Sequence, residues 1–220
     1  MNKYIKTKDL FSTQNKLIKP FLEKFEYPWE ALPEIKGYIK ELIKNGIEGY
    51  TLIGEDVLVG ENVKIYPTAT IEGPAIIGSN TEIRPGAFIR GSVLVGAKCV
   101  IGNSTEMKNA VLCDGVQVPH YNYVGDSILG DKAHMGAGSI LSNFKAGGSN
   151  VVIHADKDYV TGLRKIGAIL GDYADIGCGA VLNPGTIIGK GTRVYPLTCC
   201  RGIYPENAIV KSNDNIVEMK

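Results

Sequence analysis

The sequence predicts an all-β solenoid, a parallel β-helix of hexapeptide repeats preceded by a short helical segment. Three observations predict it. An aliphatic residue returns every six positions, at Ile53, Val59, Ile65, Ile71, Ile77, Ile83, Ile89, Val95, Ile101 and Met107. Two places before each stands a small or β-branched residue, as at Val57, Ala69, Ala75, Thr81, Ala87 and Val93. Turn formers such as Glu-Asn, Ser-Asn and Pro-Gly follow, in a chain with 27 glycines among 220 residues. Side chains two apart on a strand point the same way, so both periodic sets face inward. A strict six-residue period suits a solenoid of short flats and turns, whereas stacked hairpins have no reason to keep it.

The period carries the chain from residue 51 to about 210, leaving 211–220 as a tail. It slips by one residue after Met107, continuing as Leu112, Val118 and Val124, and slips again to Leu129, Met135 and Leu141. Residues from about 142 to 165 break the pattern, which resumes at Leu170, Ile176, Leu182, Ile188, Val194 and Cys200. Two slips and a long excursion crowded into one stretch point to function there. Before the repeat, residues 1–50 read as helical. Ile35, Tyr38, Ile39, Leu42 and Ile43 form a helical stripe between Pro33 and Asn45-Gly46. Leu17, Ile18, Phe21, Leu22 and Phe25 suggest an earlier helix interrupted near Pro20. The expected role of this segment is a cap on the open end of the solenoid.

The balance of 24 basic against 23 acidic residues provides no general field for nucleic acid or anionic membrane. A bound anion must therefore be held by a local cluster. No apolar run approaches bilayer length, and Met1-Asn2-Lys3-Tyr4 does not open a secretory signal. Five cysteines without paired spacing read as reduced thiols of a cytoplasmic protein. Three histidines, His120, His134 and His154, lack the close pair that a zinc site uses, so no metal is expected.

Several motifs carry a more specific likeness: Ile83-Arg-Pro-Gly-Ala, Gly102-Asn-Ser-Thr-Glu-Met-Lys-Asn, His120-Tyr-Asn-Tyr-Val-Gly-Asp, Met135-Gly-Ala-Gly and Ser142-Asn-Phe. Over residues 50–210, both slips included, the chain resembles the acetyltransferase half of the bifunctional glucosamine-1-phosphate N-acetyltransferase / N-acetylglucosamine-1-phosphate uridyltransferases. The resemblance implies a left-handed β-helix, a homotrimer, and acetyl-CoA-dependent acylation at clefts between subunits in nucleotide-sugar and cell-wall biosynthesis. It implies His120 as catalytic base, Arg84 and Lys108 as phosphate ligands, and Tyr123 and Asn143 as residues that orient the sugar and its amine. It also implies Ala137 as the residue whose backbone N–H faces the thioester oxygen. The family's uridyltransferase domain has no counterpart in these 220 residues. Where the family has asparagine before Ile-Gly-Ala-Gly, this chain has His134, which leaves the substrate open.

With three hexads per coil, as in that family, residues one coil apart stack at about 4.8 Å. Ile83, Val118 and Met135 then share a face, and Arg84, His120 and His134 are expected along one edge, with Arg90, Lys108 and Tyr123 on the face beside it. N-acylation needs a neutral amine and a group to take its proton, a role suited to histidine as a residue type. Arginine and lysine suit phosphate through charge-assisted contacts. His134 reads as a substrate contact, a second acid/base or a plain polar replacement, and His154 as a solvated surface residue. The expected activity is an acetyl-CoA-dependent N-acetyltransferase of a phosphorylated or nucleotide-linked amino sugar. Its rivals are a non-catalytic sugar-phosphate-binding trimer, or a relative of the sugar nucleotidyltransferases without their domain.

Overall fold

The computed structural model describes residues 5–219, so the reading of Met1–Tyr4 lies outside them. The repeat winds into a left-handed β-helix of three parallel faces. On the first face, Val57 pairs with Ala75, Ala75 with Val93, Val93 with Ala110, and Ala110 with Ser127. The second stacks Ile65, Ile83, Ile101 and Val118, then Met135, Ile176 and Val194. The third stacks Ile71, Ile89, Met107, Val124, Leu141, Leu182 and Cys200. These residues form one axial core, fully buried from Ile77 onward. Coils approach closely at the corners. A Cβ on Gly102 would fall 1.6 Å from the carbonyl oxygen of Pro119 in the next coil, so only glycine fits there.

The start of the solenoid differs from the sequence reading, and its end carries an extra strand. The repeat begins at Val57 rather than at residue 51: Thr51–Gly54 runs antiparallel to Val57–Val59 and leaves Ile53 half exposed. At the other end Ala208–Ser212 closes the second face near the expected residue 210, and within the predicted tail Asn215–Glu218 folds back antiparallel on it. Antiparallel strands therefore flank the parallel stack at its two ends.

The N-terminal helical segment is consequently not an end cap. It contains Thr7–Leu10, Lys19–Leu22 with Pro20 in its first turn, a 3-10 stretch Pro28–Glu34, and the helix Ile35–Asn45 closed by Gly46 at φ 72°. It lies along the first face. The residues that point outward there are apolar coil after coil: Leu58, Ile76, Leu94, Val111, Ile128, Ile169 and Ile187. They form a second core with Phe21, Trp29, Leu32, Ile35 and Ile39. The first face is thus covered on both sides, which is why its strands read as continuous apolar triplets such as Ala75–Ile77 and Val93–Val95.

Polar clips hold the segment at the corner between the first and second faces. Asp114, Asp131 and Asp172 stack there, each carboxylate accepting a backbone N–H from the coil before: Ala97 to Asp114 at 2.7 Å, Asp114 to Asp131 at 3.0 Å, and Asp131 to Asp172 at 2.9 Å. The remaining oxygen of Asp172 accepts from the Ser12 N–H at 2.8 Å and the Ser12 hydroxyl at 2.6 Å, and Asn15 donates to Asp114 at 2.7 Å.

The excursion folds back as a hairpin, Val152–His154 against Asp158–Val160, with Val151 and Ile153 buried. Tyr159 packs on the stacked pair Tyr27 and Trp29, with ring centroids 5.1 and 5.8 Å away, and so ties the excursion to the N-terminal segment. His154 is exposed, its Nδ1 2.7 Å from Asp158.

Candidate functional site

The two slips and the excursion occupy one corner, between the third and first faces, in successive coils. An ordinary corner there carries two residues after the outward side chain, as in Arg90-Gly91-Ser92-Val93, where Gly91 and Ser92 have φ 78° and 55°. The next two coils carry one: Asn109 at φ 47° and Asp126 at φ 48°. Asparagine and aspartate tolerate this left-handed conformation better than other residues with side chains. Glu106–Leu112 and Tyr123–Leu129 therefore run unbroken from one face onto the next. In the following coil the excursion replaces the corner between Leu141 and Ala168.

Beside this corner opens a cleft of about 740 Å³. The solenoid supplies Arg90, Lys108, Asn109, Tyr123, Asp126 and Asn143; the excursion supplies Phe144, Leu163, Arg164 and Lys165; the N-terminal segment supplies Leu32 and Pro33. Four cationic side chains line it. Arg90 is engaged by Glu106 at 2.6 Å, and the Arg164 guanidinium lies over the Phe144 ring at 5.7 Å. At its floor the Asp126 carboxylate is 7% exposed and accepts from Asn109 at 2.9 Å and Asn143 at 2.6 Å. Asn143 also donates to the Tyr123 hydroxyl at 3.2 Å. Burial, with Glu106 nearby, raises the Tyr123 phenol above its ordinary range, so it stays a neutral donor at physiological pH.

Of the residues singled out in the sequence, Lys108, Tyr123 and Asn143 therefore meet in one cleft, joined by Arg90. His120 and Ala137 form a second group at the opposite edge of the third face. The turn His120-Tyr121-Asn122 is exposed at its tip, and the His120 carbonyl accepts the Gly138 N–H at 3.0 Å. Buried Asn122 donates to the Gly136 carbonyl at 2.8 Å, fixing Gly136-Ala137-Gly138 against His120.

The expectation that Arg84, His120 and His134 share one edge is not met. His134 precedes its inward residue, Met135, whereas His120 follows Val118 by two positions, and the rows separate for that reason. His134 stacks between Gln117 and Asp175 on the flat of the second face, with Nδ1 2.8 Å from Asp175. Arg84 lies on the same face, with Nε 3.1 Å from Glu82, and does not line the cleft of its own chain.

Sequence reasoning missed Asn109, Asp126, Phe144, Arg164, Lys165 and the contribution of Leu32 and Pro33. Asn109 and Asp126 did leave a signal, since each sits where the period loses a residue. The excursion and the N-terminal segment carry no period from which their contact could be read. Among the described residues no group of three or more His, Cys, Asp or Glu side chains is arranged to hold a metal, and no helix is long and apolar enough to cross a membrane.

The chain is similar to several known proteins. The family described as the GMPPB C-terminal domain matches residues 71–163. The bifunctional protein GlmU of Methanococcus maripaludis is 30% identical over 208 residues, covering 92% of this chain and 50% of its own length. YaiX of Escherichia coli, described as an uncharacterized acetyltransferase, is 34% identical over 170 residues, 74% of each chain. Among solved structures, AntD, an N-acyltransferase from Bacillus cereus, aligns at 20% identity over 79% of this chain and 91% of its own, with a TM-score of 0.42. The chain spans about half the length of the bifunctional relatives it matches. It belongs, with YaiX and the acetyltransferase part of the GlmU proteins, to the hexapeptide-repeat acetyltransferases.

Proposed function

We propose that the chain is an acetyl-CoA-dependent N-acetyltransferase acting on a phosphorylated or nucleotide-linked amino sugar of the glucosamine-1-phosphate kind. The observation that carries the reading is the cationic cleft opened where two coils lose a residue and a third loops out. Lys108, Arg164 and Lys165 are placed to take a phosphate by charge-assisted contacts. Tyr123 and Asn143 are the hydrogen-bonding groups beside them for the sugar and its amine.

In the proposed reaction the amine nitrogen attacks the thioester carbon of acetyl-CoA. His120 takes the proton from the nitrogen, and the carbon–sulfur bond breaks to release coenzyme A and the acetamido sugar. The Ala137 N–H, held by the Gly136–Gly138 turn against His120, is the group offered to the developing oxyanion. Such a donor is worth roughly 10²–10³ in rate.

His120 and Asn143 lie at opposite edges of the third face. This separation supports a site completed between copies of the chain, in which the His120 edge of one subunit faces the Lys108 cleft of the next. Tyr121, 66% exposed at that edge, and Leu197, 84% exposed, are apolar surface that a subunit contact would cover. A homotrimer is proposed on this ground, and Arg84 and His134 then belong to the facing subunit's approach to the cleft. A cytoplasmic location is proposed with it, where acetyl-CoA and reduced thiols coexist.

Thiol release from acetyl-CoA is to be followed with glucosamine-1-phosphate and nucleotide-linked amino sugars as acceptors. Turnover is expected with one of them, reduced about 10²–10⁴-fold in His120→Ala. Undiminished turnover in that variant overturns the role of His120; binding of acceptor without any thiol release favours the non-catalytic reading.

A further inference from the structure

The buried Asp126 has no part in the chemistry above, yet each of its carboxylate oxygens accepts a hydrogen bond from a residue of the cleft wall. An ionised carboxylate only accepts hydrogen bonds. Its Oδ2 lies 2.6 Å from the amide of Asn143, so that amide must present its NH₂ group there, and the orientation follows from the partner. The second amide hydrogen goes to the Tyr123 hydroxyl at 3.2 Å. With both hydrogens committed inside the wall, the carbonyl oxygen of Asn143 is left for the cleft. Asn109 closes the far side of the carboxylate at 2.9 Å. Gly125 leaves the room, because a Cβ there would stand 2.6 Å from the Tyr123 hydroxyl and 2.7 Å from the Asn143 amide nitrogen.

We infer that Asp126 is a positioning residue, which locks Asn143 as a hydrogen-bond acceptor toward the acceptor amine, while the proton of the Tyr123 hydroxyl stays free to donate. The inference rests on the reading of this cleft as the amine site. An acceptor at Asn143 takes one N–H of a neutral primary amine and leaves the lone pair and the second N–H for attack and for proton removal. A flipped amide would point N–H at N–H and turn the amine away. The lock therefore also selects what the cleft binds at this point: a group that donates, an amine or hydroxyl, and not a carbonyl or an already acetylated nitrogen presented through its oxygen.

The test uses the full-length protein and three variants. In Asp126→Asn, a single carboxamide oxygen must serve both Asn109 and Asn143, so Asn143 loses its dedicated acceptor and its amide is released from one fixed orientation. The KM for the amino-sugar phosphate is expected to rise about tenfold or more, with the KM for acetyl-CoA unchanged. Asn143→Asp places two carboxylates together and is expected to lose activity. The double variant Asp126→Asn/Asn143→Asp restores a donor–acceptor pair and again presents an oxygen to the cleft, so it is expected to recover part of what either single change loses. A loss in Asp126→Asn that moves both KM values alike, or no recovery in the double variant, overturns the inference. The side-chain amide resonances of Asn143 give a reading independent of turnover. In the unmodified protein they are expected to be shifted and slow to exchange, and to collapse toward those of a free amide in Asp126→Asn. If wild-type protein acetylates no amino sugar, the functional reading fails while the amide signals still decide the lock; if those signals do not respond to Asp126→Asn, the lock is wrong whatever the activity.

Discussion

Replacing Asp172 by asparagine tests whether the N-terminal segment is held by its corner clips as well as by apolar packing. Asp172 is 1% exposed and accepts three hydrogen bonds: the Asp131 N–H on Oδ1, and the Ser12 N–H and hydroxyl on Oδ2. Lys190 lies 3.4 Å from the same Oδ2. Asparagine has the same shape but offers one acceptor oxygen and one donor NH₂. Whichever way it turns, one backbone N–H, of Ser12 or of Asp131, meets a donor. The Ser12 hydroxyl can rotate to accept, so the cost is one unsatisfied part-buried N–H, about 1–3 kcal/mol, plus the loss of charge assistance in the remaining bonds. About 3 kcal/mol corresponds to roughly a hundredfold shift in the equilibrium between docked and released segment. Native-state hydrogen exchange read on peptides covers this directly. Exchange over residues 7–22 is expected to accelerate by about that factor, with the third face unchanged. Uniform acceleration over the whole chain, or less than about a threefold change over 7–22, would refute the clip.

Two further outcomes follow from the geometry. Gly125→Ala is expected to leave the fold intact, since the atoms its Cβ would meet are the ends of the Tyr123 and Asn143 side chains. Acetyl transfer should nevertheless fall by about tenfold or more, measured as kcat/KM for the amino sugar, because both groups must shift. The second concerns alkaline pH. Burial pushes the Cys99 thiol up to about 12, against roughly 8.5 when unfolded. Both states keep the proton below that lower value, so this contribution to stability is complete there. As pH rises toward 12 only the unfolded chain loses the proton, and stability falls by about 1.4 kcal/mol per pH unit from this thiol. Urea midpoints between pH 8 and 10.5 should therefore drop more steeply in wild type than in Cys99→Ala, and parallel slopes would exclude the thiol as the cause.

The six-residue period carried most of the fold, because each inward aliphatic has one place to go in a stack of coils. It also marked the stretch beside which the candidate cleft opens, since a change of register at Asn109 and Asp126 is visible without knowing what surrounds them. Its failure came where the signal has a longer period. Leu58, Ile76 and Leu94 recur every eighteen residues on the outward side of one face only, where the other faces show Glu82, Gln117 or Glu106. That pattern places a covering layer along the flank, and reading hexads alone sent the helices to the end of the stack. Arg84 and His134 were placed in error by counting coils without counting positions within a hexad. A difference of one residue changes a corner position into a position on the flat, as Asp175 beside His134 makes plain. The walls supplied by Phe144, Arg164 and Leu32 depend on contacts between aperiodic segments, for which no spacing rule exists.

The shortened corners have one more consequence. Each lacks one residue that the coil of Gly91 and Ser92 carries, so the cleft is made by subtraction, as a notch left where chain is missing. Such a notch can be acquired or erased by a single-codon deletion or insertion at the corners now held by Asn109 and Asp126. Because the strands on either side stay paired in register with the neighbouring coils, the event is a step of one in sequence and none in the stacking of the faces. Length at this corner, as much as residue identity, is therefore the variable on which the cleft depends.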